Sequence, residues 1–146
     1  MTYSLVQTTL GRGYATPAFE RITNGTFDLD LTGWTGSATW RKYDGAVEFN
    51  SITTGPLSQA VFIQAGRAFS VSFDENDNDN SSVQPTITIA AYNGMDLVQD
   101  LIVQEATGGG SYSASGVLLD TATSIEVSVD LGDATYIILD NISVVA

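Results

Sequence analysis

Apolar and polar residues alternate with period two along much of the chain. In Phe69-Ser70-Val71-Ser72-Phe73 the apolar positions share one face. Thr86-Ile87-Thr88-Ile89-Ala90-Ala91-Tyr92 repeats the pattern, and Ser124-Ile125-Glu126-Val127-Ser128-Val129-Asp130-Leu131 carries it most cleanly. Strands with one face on a core and the other on solvent produce this alternation, which favours antiparallel sheets. Further strands are predicted at 36–43, 45–50, 57–64, 97–103, 112–118 and 135–145. Asp44-Gly45, Thr54-Gly55-Pro56, Ala65-Gly66, Asn93-Gly94, Gly108-Gly109-Gly110 and Gly132-Asp133 supply turns between them. No segment holds a helical period. Many short strands at regular spacing predict an all-β, two-sheet sandwich or jelly roll.

Residues 1–19 stand outside the pattern. Thr8, Thr9, Gly11, Gly13 and Pro17 interrupt the apolar Tyr3, Leu5, Val6, Leu10 and Tyr14. They read as an extended N-terminal arm ahead of a single domain at 20–146. Such an arm gains more by lying across a partner or a symmetry mate than by folding back, so a homo-oligomer is one assembly it would serve.

The 146 residues suffice for one domain with a sizeable core. Cysteine and histidine are both absent. That excludes disulfides, thiolate or imidazole metal sites, and Ser-His-Asp or Cys-His catalysis within the chain. No secretory signal is read at the N-terminus and no stretch is apolar enough for a transmembrane helix. Charge is lopsided. Residues 1–73 hold all five basic residues and five acidic ones, whereas 74–146 hold twelve acidic residues and no base. This half repels nucleic acid and anionic lipid, so neither nucleic acid nor membrane is expected as a partner.

Two phrases bracket the domain: Asn24-Gly25-Thr26-Phe27-Asp28 with Gly33-Trp34 at the front, and Tyr136-Ile137-Ile138-Leu139-Asp140-Asn141-Ile142-Ser143-Val144 at the end. They resemble the first and last strands of carbohydrate-binding-module jelly rolls of the family 4/9/22 type, in the galactose-binding-like superfamily. Leu57-Ser58-Gln59, followed by Ala65-Gly66-Arg67-Ala68-Phe69, is similar to a stretch in the middle of that family. Asp28 stands where the family has Glu, and Phe69 where it has Tyr. The resemblance implies a jelly roll with its first and last strands adjacent. It also implies a structural calcium between them, which carries over to Asp28 and Asp140. Two carboxylates with backbone carbonyls suit a hard cation that takes six to eight oxygens.

The densest acidic run, Asp74-Glu75-Asn76-Asp77-Asn78-Asp79-Asn80-Ser81-Ser82, fails the EF-hand spacing from either Asp74 or Asp77 and reads as a polar turn. For stacking on sugar rings the candidates are Trp40, Tyr43, Tyr92 and Tyr112; Trp34 is assigned to packing. Tyr92 shares parity with Thr86 and Thr88 on the polar face. Trp40 and Tyr43 have opposite parity and cannot share a face of one regular strand. No motif singles out a catalytic carboxylate pair among the acidic residues. The expectation is a non-enzymatic structural or binding protein. It is read as a bacteriophage virion component (capsid decoration, neck or tail surface protein) that docks onto other virion proteins through its arm. The alternative is an extracellular carbohydrate-binding module of a secreted glycosidase, with a glycan as its ligand.

Overall fold

The computed structural model describes residues 18–27, 32–35, 39–43, 46–50, 56–78, 84–132 and 136–146. Period-two alternation becomes nine strands among them: β1 (Thr39–Tyr43), β2 (Ala46–Asn50), β3 (Leu57–Phe62), β4 (Ala68–Asn78), β5 (Thr86–Asn93), β6 (Asp96–Glu105), β7 (Gly110–Val117), β8 (Ser124–Asp130) and β9 (Tyr136–Val145). They form two antiparallel sheets, a five-stranded one ordered β1-β2-β9-β4-β7 and a four-stranded one ordered β3-β8-β5-β6. This is the all-β jelly roll that the pattern predicts. No helix among the described residues is long and apolar enough to cross a membrane.

The core lies between the sheets. Val71, Phe73, Ile137, Leu139 and Val144 from one sheet meet Ile87, Ile89, Ile125, Val127 and Val129 from the other, all fully buried. Each such side chain contributes about 1.5–3 kcal/mol through burial. The predicted arm, residues 1–19, lies almost wholly outside the described residues. Backbone pairing already begins at Phe19, whose N–H and C=O meet Ala146, and Glu20 bridges Val145.

The two bracketing phrases meet in space. In β9 the apolar residues switch parity, with Ile137 and Leu139 inward before Asp140 and Ile142, Val144 and Ala146 inward after it. A bulge at Asn141 (φ 51°) absorbs the extra residue and shifts the β4/β9 register between Ser72 and Asp74. The Ile142 N–H at this bulge donates to the Gly25 carbonyl at 2.9 Å. A Cβ at Gly25 would fall 1.9 Å from the Ile142 oxygen, so only glycine permits the approach. Phe27 is buried, with its ring 5.3 Å from Trp34, whose indole N–H donates to the Asn24 carbonyl. The front phrase is therefore a packed turn over β9 rather than a pairing strand.

A second difference concerns the acidic run. Residues 74–78, expected in a polar turn, continue β4. Asp74 and Glu75 pair with Ser111 and Gly110 on one side and with Asp140 and Leu139 on the other. Ladder bonds on both edges outweigh the poor strand propensity of Asp and Asn. Glu75 points inward and is 2% exposed. Its carboxylate accepts the Thr107 and Gly108 N–H groups at 3.1 and 2.8 Å and the Tyr112 hydroxyl at 3.3 Å. A charge buried this deeply persists only with such donors.

Candidate ligand-binding groove

The outer face of the four-stranded sheet is built from the polar parity of its strands. Phe62 on β3 pairs with Ser124 on β8, Ser124 with Tyr92 on β5, and Tyr92 with Leu97 on β6. One row thus crosses the whole sheet. Its two aromatic residues are separated by two strand spacings, roughly 10 Å at the backbone. In the next row Ala90 lies between Glu126 and Asp100. Leu97 reaches the first row because β6 carries two bulges, whose extra residues Leu101 and Val98 pack against the core.

An open groove of about 400 Å³ lies along this row, lined by Phe62, Tyr92, Gly94, Met95, Ser124 and Glu126 among others. Phe62 is 89% exposed and Met95 97% exposed, while Tyr92 is half-buried. The tip of the β5–β6 hairpin holds Met95 at the groove rim. Gly94 (φ 62°) occupies the first central position of a two-residue turn, which a type II′ hairpin reserves for glycine. The Thr123 N–H and hydroxyl both donate to the Tyr92 carbonyl, at 2.7 and 3.2 Å. Gly94 N–H in turn donates to the Thr123 hydroxyl at 3.3 Å. The groove wall is therefore fixed by backbone bonds, with its side chains left out of them.

Polar side chains in the groove are left open to a ligand. Among the described residues, the Tyr92 hydroxyl, the Ser124 hydroxyl and the Glu126 carboxylate have no hydrogen-bond or ion-pair partner. A second hollow, of about 500 Å³, behaves in the opposite way. It lies where the bracketing phrases meet, beside Glu20, Gly25, Asn141 and Ser143. Glu20 Oε1 accepts the N–H groups of Arg21, Ile22 and Val144 at 2.9–3.0 Å, and Oε2 accepts the Ser143 hydroxyl. The Asn141 amide donates to Asp74 at 2.8 Å. These groups hold the fold closed, and the Glu20, Ser143 and Asn141 side chains each already have a partner within it.

Of the residues expected to bind a ligand, Tyr92 is in the groove. Tyr112 is not: its ring stacks on Phe73 at 4.9 Å and its hydroxyl reaches Glu75 and Thr107, so it serves packing. Its register partner is the inward Phe73, which puts it on the core side of β7. Trp40 and Tyr43 stand opposite Phe49 and Ala46 in the β1/β2 register; their side chains lie outside the described residues. Sequence reasoning missed Phe62, Ser124 and Glu126. The signal was present, since Phe62 shares the parity of Ser58 and Ala60.

For the expected calcium pair, Asp28 lies outside the described residues. Asp140 Oδ1 accepts its neighbour Asn141 N–H at 2.7 Å, and Asp140 faces Asp74 across the β4/β9 ladder. Two carboxylates directly opposite repel, and the Asn141 amide already offsets part of this by donating to Asp74. No group of three or more metal-ligating acidic residues occurs among the described residues. The visible donors thus supply only part of the six to eight oxygens that calcium takes.

No family model matches the chain, and no curated protein matches it in sequence. Solved structures do match in fold. The enzymatically active domain of bacteriophage CBA120 tailspike protein 4 superposes with a TM-score of 0.64 at 16% identity, over 86% of this chain and 21% of the tailspike chain. Family 16 carbohydrate-binding module 2 gives a TM-score of 0.64 at 12% identity, over 86% of this chain and 99% of the module. The module TmCBM61, solved with β-1,4-galactotriose, gives 0.60 at 18% identity, over 86% and 97%. Modules of families 4 and 22 match as well. At these identities the likeness establishes a shared jelly-roll fold.

Proposed function

We propose that this chain is a non-catalytic carbohydrate-binding module, with its ligand in the groove between Phe62 and Tyr92. The observation that carries the reading is the pairing, in one row, of two aromatic residues with polar groups that have no partner among the described residues. Sugar rings present apolar C–H faces and hydroxyl rims. Aromatic side chains cover the first, and Tyr92, Ser124 and Glu126 meet the second, the composition expected of a small-molecule site. The structural neighbours that are themselves carbohydrate-binding modules support the reading by their fold. The test is a glycan array on the intact protein, followed by Phe62→Ala and Tyr92→Ala. Specific binding lost in both variants, with melting temperatures unchanged, is the expected result. Binding retained in both overturns the site.

A second reading concerns the setting. The likeness to a phage tailspike domain favours a virion surface protein (capsid decoration, neck or tail) that carries the groove outward. Docking onto other virion proteins then falls to residues 1–19. Deleting that segment should leave the melting temperature nearly unchanged and abolish binding to the assembly. Retained assembly binding would place docking elsewhere. A structural calcium near Asp140 belongs to the same proposal.

A further inference from the structure

The charge around the groove is of one sign. Glu126 lines it, half-buried and without a partner among the described residues. Asp100 flanks the same Ala90 position from the other side, and Asp130 and Glu105 continue the acidic face along β8 and β6. Among the described residues, no Lys or Arg lines the groove. An anionic sugar, whether a uronate or a sulfated or sialylated unit, would bring a second negative charge against Glu126, with no base among the described lining residues to offset it. A neutral sugar would use this carboxylate only as an acceptor for its hydroxyls.

A cationic group fits both chemical elements of the site. An ammonium ion is drawn to the negative faces of aromatic rings and forms a charge-assisted bond with a carboxylate. Phe62 and Tyr92 offer the rings, and Glu126 lies one row along the strand from their shared neighbour Ser124. That is two residues, about 7 Å of strand, well within the span of a sugar ring with its substituents.

We propose that the groove selects sugars bearing a free amine, with the ring against Phe62 and Tyr92 and the ammonium on the Glu126 carboxylate. The inference rests on the glycan reading above and adds the ligand class. Acetylating the amine removes the charge and adds bulk, so the two forms of one sugar provide a direct comparison.

Calorimetric titration of the full chain in about 0.15 M salt, where charges are screened beyond about 8 Å, would use three probes. They are the glucosamine trimer, its fully N-acetylated counterpart and trilysine. The glucosamine trimer should bind about tenfold or more tighter than the acetylated trimer. Glu126→Gln should bring the two sugars to comparable affinity. Glu105→Gln, on the Thr86 row about 13 Å further along the strand, should leave the preference intact. Glu126→Asp, which keeps the charge, should retain part of the preference and guards against a misfolded Gln variant. Equal binding of the two trimers overturns the amine inference and leaves the glycan reading standing. So does a preference that survives Glu126→Gln, or one lost equally in Glu105→Gln. Trilysine binding as tightly as the glucosamine trimer overturns the sugar part of the proposal. Binding of no sugar, here or on a broad array, overturns the glycan reading itself.

Discussion

Phe62→Ala separates binding from folding. At 89% exposure, the Phe62 ring adds almost nothing to the core, so its removal should leave stability within about 0.5 kcal/mol. Binding should respond quite differently. A whole aromatic side chain can bury about 150–250 Å². A ligand covering one face of a ring that starts almost fully exposed removes roughly 80–100 Å² from water. At about 25 cal/mol per Å², that amounts to about 2 kcal/mol, or roughly a thirtyfold weaker Kd in the variant. Tyr92 is already half-buried, so its ring has less area left to cover and Tyr92→Phe tests its hydroxyl alone. Calorimetric titration against the best array ligand reads the affinity, and thermal melting reads the fold. The wild-type titration should also show a negative heat-capacity change, the mark of apolar burial. A Phe62→Ala protein that melts normally and binds with unchanged affinity would refute the reasoning, because no ring area would then be covered by ligand.

Three further outcomes test the frame around the groove. Gly25→Ala forces a Cβ to within 1.9 Å of the Ile142 carbonyl and should lower stability by about 1–3 kcal/mol, seen as a drop in melting temperature. Glu75→Ala strips the acceptor from the Thr107, Gly108 and Tyr112 donors and should cost about 2–4 kcal/mol by urea unfolding, because water can reach only part of the loop. Glu75→Gln should cost less, since one carbonyl oxygen remains; equal losses would show that the charge with its second acceptor oxygen, rather than the shape of the side chain, holds the loop. If calcium binds at Asp140, chelation should lower the melting temperature and Asp140→Ala should remove that sensitivity; at 100 times the Kd the cation adds about 2.7 kcal/mol.

Much of the fold was legible because period two is a strong signal wherever one face is buried. The two bracketing phrases could be read as neighbours, and they do meet at Gly25 and Ile142. What the pattern could not show were the irregularities. Leu139 to Ile142 breaks the alternation, and only the bulge at Asn141 explains how both halves of β9 face the core. Leu97 to Val103 shows no clean period because β6 has two bulges. The acidic stretch after Phe73 looked like a turn because its stability as a strand comes from partners distant in sequence.

The site was half legible for a similar reason. Parity alone put Tyr92 outside, and the same rule applied to β3 and β8 would have put Phe62, Ser124 and Glu126 outside too. Parity does not say which strands are neighbours. That β3 and β5 flank β8, and so bring Phe62 and Tyr92 into one row, is a property of the strand order. Tyr112 misled because its role depends on register: only the pairing with Phe73 shows that it faces the core.

The outer faces of the two sheets differ in the physics that they offer a ligand. Across β9, β4 and β7 serines cluster in the middle of the outer face, with Ser70 beside Ser115 and Ser72 between Ser113 and Ser143. A ligand there would exchange water hydrogen bonds for serine hydrogen bonds, a substitution with a net gain of only about 0.5–1.5 kcal/mol each at best. Ordering the ligand would consume that gain. The outer face of the four-stranded sheet adds apolar area that is exposed before binding, at Phe62 and Met95. Its Tyr92, Ser124 and Glu126 side chains also have no partner among the described residues to be broken from. Because the row lies on paired strands and a hairpin pinned by Thr123, little backbone ordering remains to oppose binding. Affinity on this domain should therefore map to the Phe62–Tyr92 row, and serine-to-alanine changes at Ser70, Ser113 or Ser115 should leave it untouched.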